Sequence, residues 1–116
     1  MPRKVEQERR QFPRQLLPLT NGGVSAMLPA TDGTLVYSNV WNLSRGGACL
    51  LLPRGGGDKL LAEGAVLFSD ASGREVRLVA RVVWIENLGR SFFVGVAFEP
   101  SPLATGTFLD DYLKGL

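Results

Sequence analysis

Residues 75–85 read EVRLVARVVWI, and the alternation in that stretch decides the fold class. Val76, Leu78, Ala80, Val82 and Trp84 recur with a period of two, the spacing of side chains on one face of a β-strand. The opposite face carries Arg77, Val79, Arg81, Val83 and Ile85. A uniformly apolar face is expected to point inward, so this parity assigns Trp84 to the core.

Working outward, Ser72-Gly73 is a turn signal that joins residues 65–70 to this strand as a hairpin. Phe92, Val94, Val96 and Phe98 repeat the alternation in a last strand. Upstream, residues 24–28 form a first strand and Asp32-Gly33 suits a tight hairpin turn. Residues 35–43 then return as a second strand, and Gly46-Gly47 turns the chain into a third along 48–52. Residues 53–58, with three consecutive glycines, read as an open loop. Past Pro102 the period changes. Phe108, Leu109, Tyr112 and Leu113 have helical spacing within 103–116, although Gly106 and Gly115 weaken the propensity. Six short antiparallel strands and a short C-terminal helix predict an all-β protein, a closed barrel without exposed strand edges.

Composition narrows the function. The 116 residues are 45% hydrophobic, enough for one domain with one core. The chain contains no histidine, which removes the commonest general base, the serine triad and most zinc sites. The lone Cys49 has no disulfide partner and lies in an apolar run, as expected of a small buried hydrophobe. Asp110 and Asp111 are adjacent and would point about 100° apart on a helix, so they are expected to solvate it rather than act as an acid/base pair. No enzyme, metal or cofactor is expected. No run is apolar enough to span a bilayer, and residues 1–14 are too polar for a signal-peptide core, so a cytoplasmic protein is the expectation.

The net charge is +2, but it is unevenly placed. Within residues 1–15, Arg3, Lys4, Arg9, Arg10 and Arg14 outnumber Glu6 and Glu8 by three, leaving the remainder at −1. A basic arm on a nearly neutral body attracts anions in general. No basic stripe or nucleic-acid-binding signature accompanies it, so nucleic acid is not the expected partner.

Two short motifs carry chemistry. Arg9-Arg10-Gln11-Phe12-Pro13-Arg14 has the form RRxxR. Guanidinium groups offer planar forks of donors that bracket phosphates, read guanine O6 and N7, and stack on purines. Read alone, the motif also fits a solvated basic tail. Asn42-Leu43-Ser44-Arg45-Gly46-Gly47 is the second. It is either a plain turn between two strands or a site where Asn42 and Ser44 present polar atoms and Gly47 leaves space beside the backbone.

In that order and spacing the two motifs resemble the signature of the PilZ family of cyclic di-GMP receptors, RRxxR followed by Asp-or-Asn-x-Ser-x-x-Gly. Residues 81–84 and 94–98 are similar to that family's closing strands, so the resemblance covers about residues 9–98. It implies a six-stranded PilZ-type barrel that binds cyclic di-GMP through Arg9, Arg10, Arg14, Asn42, Ser44 and Gly47. Arg45, Gly46, Arg81 and Trp84 are secondary candidates, Trp84 as a stacking surface for guanine.

The implied organisation is a basic arm at 1–15, a barrel at 16–100 and a helical tail at 101–116. The arm has few apolar anchors, Val5 and Phe12, and is expected to be mobile until ligand orders it. The implied role is an adaptor that passes the ligand signal to a protein of motility, pilus, exopolysaccharide or biofilm machinery, as a monomer or a ligand-induced dimer. The alternative is a PilZ module that works through protein contacts without ligand.

Overall fold

The computed structural model describes residues 15–16, 23–100, 102–103 and 105–114. Arg9, Arg10, Arg14 and the expected mobility of the arm lie outside the described residues.

Among the described residues there are seven strands: β1 (Gln15–Leu16), β2 (Val24–Pro29), β3 (Leu35–Leu43), β4 (Gly47–Leu52), β5 (Glu63–Asp70), β6 (Glu75–Asn87) and β7 (Phe92–Glu99). A single 3-10 turn, Gly57–Lys59, interrupts the β4–β5 connection, and a helix α1 (Phe108–Leu113) follows the strands. All pairings are antiparallel. The order β3-β2-β5-β6-β7-β4 closes through a β3–β4 pairing, giving the expected six-stranded barrel. β1 is an addition to it. Its two residues pair with Leu43 and Asn42 of β3, beyond Asn39 where the β2 ladder ends.

The core is what the alternation requires. Val24, Ala26 and Leu28 of β2, Val36, Val40 and Leu43 of β3, and Val94, Val96 and Phe98 of β7 all turn inward and are buried. Phe68 and Phe98 meet edge to face with centroids 6.0 Å apart, the favoured geometry for aromatic quadrupoles. Ser38 is the one polar side chain of β3 that points into this interior, and its Oγ donates to the Ala26 carbonyl at 2.9 Å. That bond answers the desolvation that burial imposes on a hydroxyl.

Leu103, Phe108 and Leu109 are buried against the same cluster and cap the barrel at the end where β4 begins and β7 ends. The helix starts at Phe108, later than the expected 103–116. Gly106 at φ 96° cannot belong to a right-handed helix. Thr107 then caps the next turn, its side chain accepting from the Asp110 amide at 3.3 Å. The Thr107-x-x-Asp110 spacing is a helix-start signal in the sequence. No helix among the described residues is long and apolar enough to cross a membrane.

Two irregularities interrupt the ladders, one in β3 between Val40 and Asn42 and one in β6 between Val82 and Trp84. Each inserts a residue with no partner, Trp41 or Val83, and shifts the inward/outward alternation of all that follows. This corrects the placement of Trp84. Val82 is paired with inward Val96, but Trp84 is paired with Gly95, between inward Val94 and Val96. Trp84 therefore belongs to the outer surface, not the core.

Candidate functional site

Register places four residues in one row on the outside of the barrel: Asn42, Cys49, Gly95 and Trp84, on β3, β4, β7 and β6. A neighbouring row runs Gly47, Ala97 and Arg81. Cys49 is buried, as expected for a small hydrophobe, but within this outer layer. The floor between Asn42 and Trp84 is thus built of small residues. Sheets reach such close, flat surfaces only where side chains are short or missing.

Trp84 covers part of that floor. A Cβ built at Gly95 would lie 2.3 Å from Trp84 Nε1 and 2.4 Å from Cε2. The indole N–H is buried and has no hydrogen-bond partner among the described residues. Trp41, the unpaired residue of the β3 bulge, packs edge to face on Phe93 at 5.4 Å.

The turn at residues 44–47 is internally saturated. Ser44 is 2% exposed. Its Oγ accepts from the amides of Gly46 and Gly47 at 3.2 and 3.3 Å and donates to the Gly47 carbonyl at 3.3 Å. The Ser44 amide donates to that same carbonyl at 2.8 Å, and the Gly46 carbonyl accepts from the Phe98 amide at 2.9 Å. Ser44 is therefore an organiser of the turn. Gly47 has a structural reason too: a Cβ there would sit 2.0 Å from the Val96 carbonyl oxygen. The space beside residue 47 is closed by β7. Asn42 is half-buried at the row's end, and its backbone pairs with Leu16 on one side and Cys49 on the other.

Arg45 leaves the outer rows altogether. Its Nη1 donates to the Leu103 carbonyl at 3.3 Å, and its Nη2 is ion-paired with Asp110 Oδ1 on α1. Asp110 is 1% exposed, not solvated as adjacency to Asp111 suggested. Its second oxygen accepts from Lys114 Nζ at 3.2 Å and the Gly106 amide at 3.3 Å. The Arg45 guanidinium, helped by these two donors, holds the Asp110 carboxyl at about 2, well below its ordinary 3.8. Asp111 meets Arg74 of the β5–β6 hairpin at 3.3 Å, and Arg74 also stands 5.5 Å over the Phe108 ring.

Arg81 is exposed on β6 and ion-paired with Glu99 at 3.1 Å. Glu63, its register partner, has its carboxyl pushed up by sharing a hydrogen bond with Glu99 and by that neighbour's charge. Among the described residues no cluster of three or more metal-ligating side chains occurs. Asn42, Trp84 and Arg81 therefore border one outer surface, whereas Ser44, Arg45, Gly46 and Gly47 build the turn beside it.

The family model described as PilZ domain matches residues 8–115. Among solved structures, the PilZ domain of YcgR from Escherichia coli with c-di-GMP is similar at 16% identity and a TM-score of 0.62, over 91% of this chain and 86% of that one. The MrkH–c-di-GMP complex of K. pneumonia is similar at 17% identity and a TM-score of 0.60, over 78% of this chain and 44% of that one. The Bacillus subtilis inhibitor of motility, MotI/DgrA, matches at 17% identity and a TM-score of 0.58, over 92% and 49%. This chain spans under half the length of the last two. No curated protein sequence matches it.

Proposed function

The chain belongs to the PilZ domain family, and from that membership we propose that it is a receptor for cyclic di-GMP and not an enzyme. The observation that carries this reading is the seat of β1. Gln15 pairs with Leu43 and Leu16 with Asn42. Gln15 is the residue after Arg14, and consecutive Cα atoms are about 3.8 Å apart. The described chain thus takes up, one residue after RRxxR, beside the start of the Asn42–Gly47 motif.

In this proposal Arg9, Arg10 and Arg14 hold the phosphates and guanine edges of the dinucleotide over the outer row. Asn42 supplies a polar atom at one end, and Trp84 a stacking face at the other. Arg81, one row away and paired with Glu99, is close enough in register to serve a phosphate. Ser44, Gly46 and Gly47 serve by shaping the turn, and Arg45 is engaged with α1. The structures titled as c-di-GMP complexes of YcgR and MrkH support the ligand class. Ligand ordering of residues 3–15 and recognition of the altered surface by a motility, pilus or exopolysaccharide protein complete the proposal. A module that acts without ligand would account for Ser44 and Gly47, whose roles are internal to the barrel, but leaves the RRxxR spacing without a purpose.

Calorimetric titration with cyclic di-GMP, with GTP and linear pGpG as controls, tests the reading. Selective uptake without turnover is the expected result. A folded sample that takes up nothing at tens of micromolar in low salt would overturn it. Arg14→Ala should cost about 1.5–3 kcal/mol in binding, and Arg14→Lys should remain impaired, since an ammonium keeps the charge but loses the fork.

A further inference from the structure

The turn that carries the Asn42–Gly47 motif is tied to the far end of the chain at three points. The Leu103 amide donates to the Arg45 carbonyl at 2.7 Å. Arg45 Nη1 returns a bond to the Leu103 carbonyl, and Nη2 reaches buried Asp110 on α1. Side-chain and backbone contacts thus run both ways between residue 45 and the tail. The spacing of 65 residues makes this a long-range tie, not a feature of the turn itself.

A surface ion pair of this sort usually contributes little. This one differs in that the carboxylate is 1% exposed and both its oxygens are occupied. Removing the charge leaves the Arg45 guanidinium without its carboxylate partner, so the turn loses its side-chain tie to α1 and keeps its bonds to Ser44 and to the Phe98 and Leu103 amides. From this geometry we infer that Asp110, acting through Arg45, is a positioning residue that fixes the 44–47 turn in the conformation that receives ligand. The ligand half of this inference rests on the cyclic di-GMP reading above; the turn-fixing half does not.

Arg74 provides the control. It holds the same helix through Asp111 and Phe108 but touches no residue of the turn among the contacts described. If the tie to Asp110 were merely one of several that keep α1 docked, loosening either end would have the same consequence for the turn.

The test is amide hydrogen exchange of Ser44, Gly46 and Gly47 by NMR in ligand-free wild type, Asp110→Asn, Arg45→Lys and Arg74→Ala, with cyclic di-GMP titrated into each. Asp110→Asn should speed exchange at these amides at least about tenfold, and Arg45→Lys should do the same where Asp110→Asn fails to fold. Arg74→Ala should leave them near wild type even where it lowers the melting temperature. Ligand affinity should fall about tenfold in the first two variants and not in the third. Equal acceleration in all variants in proportion to their lost stability, or none in any, overturns the inference. If wild type takes up no cyclic di-GMP, the ligand reading fails, and the exchange comparison still decides whether Asp110 fixes the turn.

Discussion

Trp84 occupies the space that a side chain at Gly95 would need, with Nε1 2.3 Å from where the Cβ would lie. The indole and the glycine face each other across the β6–β7 ladder on the outside of the barrel. The ring has no such place unless residue 95 is glycine.

If the indole stacks on guanine, Trp84→Ala should cost about 1–3 kcal/mol in cyclic di-GMP binding, the usual worth of one aromatic–base stack. Gly95→Ala should also weaken binding, although it adds one methyl group, because the ring is pushed off its seat. Tryptophan fluorescence separates the two indoles of the chain. Ligand should perturb the emission of Trp41→Phe, which keeps Trp84, and not that of Trp84→Phe.

Gly47→Ala should destabilise the protein in the absence of any ligand. The new methyl group would meet the Val96 carbonyl oxygen at 2.0 Å, and because the atoms it meets are backbone, the strands themselves must part. Such overpacking costs on the order of 1–3 kcal/mol. Denaturant unfolding of the ligand-free protein measures it. An unchanged midpoint would mean that glycine at 47 is needed for ligand access alone.

Acid should unfold the protein partly through Asp110. Its carboxyl is held at about 2 in the fold against an ordinary 3.8, so the folded state binds fewer protons than the unfolded state between those values. The stabilisation is fully present above about pH 4 and is lost as the pH falls through about 2. Wild type and Asp110→Asn should therefore differ in urea midpoint at neutral pH and converge toward pH 2. Asp32, also lowered to about 2, owes this to the hydroxyl and amide of Thr34 within its own exposed turn. Asp32→Asn should leave the acid limb closer to wild type.

Most of the barrel is legible in the sequence because inward residues recur every second position. Val24, Ala26 and Leu28, or Val94, Val96 and Phe98, need no further information. Trp84 is where that reading fails, since a bulge costs one residue and leaves no compositional mark: Val82-Val83-Trp84 reads as unbroken strand. Asp110 fails for a different reason. Its partner lies 65 residues away, and nothing local distinguishes a carboxylate that meets an arginine from one that meets water. The Asn42–Gly47 stretch was legible as a turn, but the division of labour inside it was not. That Ser44 spends its hydroxyl on two neighbouring amides, whereas Arg45 reaches another element, is decided by closure of the barrel.

The two bulges have a consequence for how freely this chain can be altered. Ahead of each, at Val40 and Val82, a strand answers to the packing of the interior. Just past each, at Asn42 and Trp84, it answers to whatever lies outside. Each bulge thereby puts the alternation out of step with what precedes it, so that Leu43, one residue past Asn42, is again buried in the core. A library that randomises 42 and 84 explores new ligands on an unaltered hydrophobic interior, and even deletion of Val83, the residue without a partner, would leave the indole opposite Gly95 on the outside.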